Sequence, residues 1–112
     1  MESAQFSPDG QKIVSASSDK TVRVWSAVSS ECEQTLEGHS RLVMSAQFGP
    51  DGQKIVSASY DKTVRVWSAV SGELEQTLEG HSGMVISAQF GPDGQKIVSA
   101  SMDKTVRVWS AN

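Results

Sequence analysis

The side chains of this chain that could carry covalent chemistry are a serine, a histidine and an aspartate held at a fixed spacing. From His39, Ser57 lies 18 positions on, Asp61 22 and Trp67 28; from His81 the same offsets reach Ser99, Asp103 and Trp109. A serine hydroxyl beside an imidazole that a carboxylate orients is the arrangement for nucleophilic attack on an acyl group. Yet the set occurs twice, and Ser15, Asp19 and Trp25 give it a third time without a histidine. A catalytic centre is not copied once per repeat, so no catalytic residue is assigned, and a Ser/His/Asp hydrolase is kept only as the competing class. Two histidines 42 residues apart and the single Cys32 offer no short ligand spacing, so no metal is expected. The Pro-Asp-Gly turns at Asp9, Asp51 and Asp93 lack the lysine and the strand-to-helix setting of a phosphate loop. No nucleotide and no other cofactor is expected.

What must position these side chains is a repeat. Shifted against itself by 42 places, the sequence superimposes Phe6, Phe48 and Phe90, then Trp25, Trp67 and Trp109, then Gly38-His39 on Gly80-His81. Residues 1–37 differ from 43–79 at six of 37 positions, and 38–70 from 80–112 at five of 33, so one structural solution must serve every copy. Recent duplication or deliberate construction would produce such near-identity. Each unit reads as four short strands: VMSAQF (43–48), KIVSAS (54–59), TVRVWSA (63–69) and LEQTL (74–78). Pro50 presets a turn and Gly52 can take positive φ, which closes the first hairpin. A tight Tyr60-Asp61-Lys62 turn closes the second. No helical period competes, and the fold class is all-β, built of small antiparallel sheets packed face to face.

The Gly-His pair, the Ser59-Tyr60-Asp61 turn, the tryptophan 28 residues after the histidine and the 42-residue period resemble the WD-repeat family across essentially the whole chain. The resemblance implies one array of four-stranded propeller blades: blade 1 about 2–36, blade 2 about 43–78, and a partial blade 3 about 85–111 that lacks its outer strand. It also implies that His39, Ser57, Asp61 and Trp67, and likewise His81, Ser99, Asp103 and Trp109, form buried chains of hydrogen bonds. Such a chain would run from indole N–H to hydroxyl, hydroxyl to imidazole, and imidazole to carboxylate. Ser15, Asp19 and Trp25 would form an incomplete one, which makes the first blade the weakest. One departure is that each tryptophan is followed by serine where the family's namesake dipeptide has aspartate.

Composition bounds the partners. Ten basic against thirteen acidic residues give a net charge of −3, so no overall positive field draws the chain to nucleic acid. No stretch approaches the roughly 18 apolar residues of a membrane span, and the N-terminus has neither the basic nor the apolar region of a secretory leader, so no membrane association is expected. The default is an intracellular, cytoplasmic protein, with the nucleus also open. Cys32 aligns with Leu74 and reads as a small apolar filler. Glu31, Glu33 and Glu37, with Glu73, Glu75 and Glu79, lie on the fourth strands, expected to pair with the strands carrying Arg23 and Arg65. The favoured reading of these charges is a solvated rim.

Positions where the copies differ are those that the shared scaffold does not dictate. Arg41, Leu42 and Met44, with Met84 and Ile86, follow Gly-His, while Tyr60 and Met102 occupy the turn between second and third strands. In a four-stranded meander these connections leave the sheet on one side. The expected function is therefore a protein-protein interaction scaffold that binds a protein or peptide on that loop face. The alternative is a structural or non-functional fragment of a longer WD-repeat protein. Blade count adds a further expectation, since three blades cannot close a ring. The chain is either a piece of a longer propeller, as Met1 aligned with Val43 and Val85 inside a strand implies, or half of a six-bladed homodimer.

Overall fold

The computed structural model describes residues 3–111, and all regular structure within them is β. Eleven strands form in chain order: β1 (Ser3–Phe6), β2 (Lys12–Ala16), β3 (Val22–Ser26), β4 (Cys32–Leu36), β5 (Val43–Phe48), β6 (Lys54–Ser59), β7 (Thr63–Ser68), β8 (Leu74–Glu79), β9 (Val85–Phe90), β10 (Lys96–Ser101) and β11 (Val106–Ser110). They make two four-stranded sheets, β1-β2-β3-β4 and β5-β6-β7-β8, and one three-stranded sheet, β9-β10-β11, each an antiparallel meander. The expected blade start at residue 2 and the expected strand position of Met1 lie outside the described residues. Among the described residues no helix is long and apolar enough to cross a membrane.

Period-2 alternation gives every sheet two apolar faces. Directly opposed residues share a face, so Phe48, Ile55 and Trp67 form one row while Gln47, Val56, Val66 and Gln76 form the other. The first row packs on Val14, Ala16, Val22, Val24 and Leu36 of the preceding sheet. Val56, Ala58, Val64 and Val66, on the second side, pack in turn against Val85, Ala88 and Ile97 of the third sheet, with Phe90 and Trp109 at the margin. The middle sheet is thus covered on both faces and each end sheet on one. That is why β6 is buried at all but its first residue.

The turns carry their conformation in specific residues. Gly10, Gly52 and Gly94 have φ near +75° (73°, 75° and 75°), and each amide donates to the carbonyl three residues before it, as the Pro-Asp-Gly hairpins require. Lys20, Lys62 and Lys104 hold φ of 77°, 75° and 72° in the second turn, a left-handed conformation that costs a non-glycine residue energy. Their neighbouring aspartates stabilise it by accepting the amide of the residue after each lysine, Asp61 Oδ1 from Thr63 N at 2.9 Å for example.

One expectation about a side chain is corrected. Cys32 is exposed on the outer strand and fills no core, and its counterpart Leu74 is exposed as well, because neither sheet's outermost strand is covered at that point. The fourth strands pair with the strands carrying Arg23 and Arg65, as expected, and the residues directly opposite those arginines are Thr35 and Thr77. A β-bulge between Val24 and Trp25 in the β3–β4 ladder leaves Glu33 without a direct cross-strand partner, and the matching bulge does the same for Glu75. A bulged residue is re-aimed. Glu33 pairs with Lys12, and Glu75 with Lys54 at 2.6 Å, two strands away.

Candidate functional site

The serine, histidine, aspartate and tryptophan of the second repeat come together from four places in the chain. Ser57 lies in β6, Trp67 in the neighbouring β7, Asp61 in the turn between those strands, and His39 in the connection that enters β5. Trp67 Nε1 donates to Ser57 Oγ at 2.9 Å; Ser57 Oγ lies 2.6 Å from His39 Nε2; His39 Nδ1 lies 2.8 Å from Asp61 Oδ2. One assignment of protons satisfies every contact: Ser57 donates to Nε2, and Nδ1–H donates to the carboxylate. The third repeat reproduces it, with Trp109 Nε1 to Ser99 Oγ at 2.8 Å, Ser99 Oγ to His81 Nε2 at 2.7 Å, and His81 Nδ1 to Asp103 Oδ2 at 2.9 Å. Each imidazole meets the tryptophan ring edge-on, centroids 6.1 and 6.0 Å apart.

Electrostatics lock the acid end. Burial pushes Asp61 towards its neutral form, but hydrogen bonds from His39 and Thr63 and from the Ser40 amide outweigh it. They hold the carboxyl well below the ordinary carboxylate range. At Asp103 the Thr105 hydroxyl acts most strongly against burial, joined by His81 and the amides of Ser82 and Thr105, with the same result. These carboxylates are therefore ionised hydrogen-bond acceptors that tie the Gly-His connection to the turn after the second strand.

The arrangement is poorly built for catalysis. Ser57 is fully buried and its oxygen already accepts an indole N–H while facing the imidazole, so no acyl carbon can approach it. In the first sheet Trp25 Nε1 donates to Ser15 Oγ at 2.9 Å, and there the network ends. Asp19, exposed, binds Arg23 Nη2 at 3.2 Å instead of an imidazole. No three His, Cys, Asp or Glu side chains among the described residues converge as a metal site.

The variable positions proposed for partner binding lie at the end of the sheets that these networks hold together, whereas Ser7 with Gly49, Ser30 with Gly72 and Cys32 with Leu74, which also differ, lie at or near the opposite turns. Tyr60 N donates to Leu42 O at 3.0 Å and Met102 N to Met84 O at 2.8 Å, while Ser59 Oγ and Ser101 Oγ donate to carbonyls of the same connections. Arg41 and Met102 are exposed; Leu42, Tyr60 and Met84 are half-buried. Met44 and Ile86 are the unopposed extra residues of bulges in β5 and β9, and both are half-buried. Sequence reasoning placed Arg41 at this end but did not place the three recurring lysines there. Lys20, Lys62 and Lys104 are exposed at the second-turn positions, at the same end as Arg41, whereas Asp61 and Asp103 are spent on the histidines. The signal was present in the recurring Asp-Lys-Thr, which read only as a turn.

A family model described as "WD domain, G-beta repeat" matches residues 2–26, 30–68 and 72–110. The second and third of these units begin near the outer strand of one sheet and run through the first three strands of the next, so they are offset from the sheets themselves. Over 41 residues the chain is 54% identical to "F-box/WD repeat-containing protein 7" of Drosophila melanogaster, a stretch that covers 37% of this chain and 3% of that protein.

Proposed function

The chain belongs to the WD domain, G-beta repeat family, and we propose that it acts as a scaffold whose loop end receives a protein or peptide partner. WD repeats are in general protein-interaction modules. The observation that carries the finer reading is that the variable positions at the loop end bring Arg, Leu, Tyr and Met side chains together. Nearly identical repeats depart from one another at Arg41, Leu42, Tyr60, Met84 and Met102, and backbone hydrogen bonds draw these positions to one end of the sheets. A scaffold kept constant beneath side chains that vary is how one fold acquires a specific surface.

The chemistry of that end narrows the partner. Four exposed cations, Lys20, Arg41, Lys62 and Lys104, lie in the loops of the same end as half-buried Leu42, Tyr60 and Met84, together with the exposed carboxylates Asp19, Glu37 and Glu79. A segment that presents an apolar side chain flanked by charged groups complements it. The buried position of Ser57 argues against hydrolysis.

The test is affinity capture with the wild-type chain and a variant carrying Arg41→Ala, Leu42→Ser, Tyr60→Ser and Met84→Ser. The variant should lose partners that the wild type retains while its thermal melt shifts little. Identical partner sets for both forms would sink the loop-end reading.

A further inference from the structure

The two end sheets each leave one apolar face open, and the two open faces are not alike. On β9-β10-β11 the open side carries Val98, Ala100, Val106 and Val108; Val106 and Val108 are 67% and 66% exposed, whereas their equivalents Val22, Val24, Val64 and Val66 are at most 1% exposed. On β1-β2-β3-β4 the open side carries the row Phe6, Ile13 and Trp25, and Phe6 is 66% exposed. Within the chain, a valine face of the first kind is covered twice, each time by a Phe-Ile-Trp row of the second kind. The molecule therefore carries two worked examples of the contact and one unmatched half of it at either end.

The turns give the register. In both internal contacts a Pro-Asp-Gly proline of one sheet lies beside the corresponding glycine of the next: Pro8 Cδ is 3.7 Å from the position a Cβ would take on Gly52, and Pro50 Cδ 3.6 Å from that on Gly94. Gly10 has nothing within 4 Å of the same point, and Pro92 is not among the atoms nearest any glycine. Phe90 likewise lies against Gly49, its ring 3.4 Å from where a Cβ would sit, while Gly91 has no such ring beside it. The unmatched halves are thus Pro92 with Gly10 and Gly91 with Phe6, and every side chain needed belongs to this chain.

We infer that the open valine face of β9-β10-β11 docks the open Phe6-Ile13-Trp25 face of a second copy of this chain, head to tail, in the register of the internal contacts. The contact is heterologous, because the two faces differ. Two copies that satisfy both pairs of faces form a ring of six sheets and stop. The docked contact is smaller than the internal ones, since β11 has no outer strand to supply the leucine that Leu36 and Leu78 provide elsewhere. Dissociation on dilution should follow. The inference uses sheet faces, not the loop end, and stands apart from the partner proposed above; the loop-end variant should keep the wild-type mass.

The test is molar mass by light scattering or sedimentation over a range of concentrations. The wild-type chain should move from 12.0 kDa when dilute to twice that mass; growth into longer head-to-tail chains would equally support the docking. Val108→Lys disables the valine face and Phe6→Lys the aromatic one, both at exposed positions. Each variant alone should stay at one chain where the wild type associates. Mixed in equal amounts, they should form a pair and grow no further, because one intact face of each kind remains. Circular dichroism checks folding of each variant, and Val106→Lys replaces Val108→Lys should the latter not fold. A wild type that remains a single chain throughout overturns the inference. So does association that persists in either folded variant alone, or a mixture of folded variants that stays apart.

Discussion

The first and second sheets share nearly all of their sequence yet differ in how firmly their polar centres are held. Trp67 is 2% exposed, and its indole begins a four-residue chain that ends at an ionised, enclosed carboxylate. Trp25 makes the same bond to serine, but its ring lies on an open face and its aspartate turns to Arg23 in solvent. Near-identical local residues form equivalent strands. What separates the sheets is what the preceding segment brings: a Gly-His connection and a covering sheet in one case, neither among the described residues in the other. Strand formation here is local, whereas burial of the polar network depends on the neighbouring unit, as expected of arrays whose stability is summed over units and interfaces.

The widest separation between the two sheets should come from the tryptophans. Trp67→Ala removes a ring packed between two sheets and should cost about 3–5 kcal/mol in a urea titration. Trp25→Ala, measured in dilute solution, should cost no more than roughly 1 kcal/mol, because its site is already open to water. Equal losses at both positions would mean that the first sheet's outer face is covered in solution.

The serines should separate the sheets by less. Ser57→Ala strands a buried indole N–H and the imidazole Nε2 together and should cost about 1–3 kcal/mol, whereas Ser15→Ala strands only an indole that water can reach and should cost less than about 1 kcal/mol. Readability from sequence divides along the same line. Strands 43–48 and 54–59, the turn glycines and the sheet order were legible because alternation and turn chemistry are local properties. The convergence of His39, Ser57, Asp61 and Trp67 could be read only through the family resemblance, since nothing in the residues themselves brings positions 28 apart into contact. Exposure of Cys32 and the reach of Glu33 to Lys12 were not legible, because both follow from where a sheet ends and where a bulge falls.

Acid should separate the sheets least. Asp61 titrates well below its usual range in the folded chain and near 3.9 when unfolded, so its contribution is complete above about pH 5 and declines as the pH falls through the unfolded value. The unfolded chain takes up the proton first, which lowers stability on the acid side and leaves it unchanged towards neutrality. After allowance for screening the loss at Asp61 between pH 5 and pH 3 should stay under about 1 kcal/mol. Urea titrations at the two pH values measure it, and Asp61→Asn should be less stable than wild type at pH 7 while losing part of the acid-dependent slope. Asp19→Asn should leave stability at pH 7 nearly unchanged, because Asp19 faces solvent and its cation partner is a neighbour four residues away on the same hairpin. If Asp19→Asn proved as costly as Asp61→Asn at pH 7, the histidine would not be what distinguishes the second sheet, and the Asp-Thr turn common to both would carry the stabilisation instead.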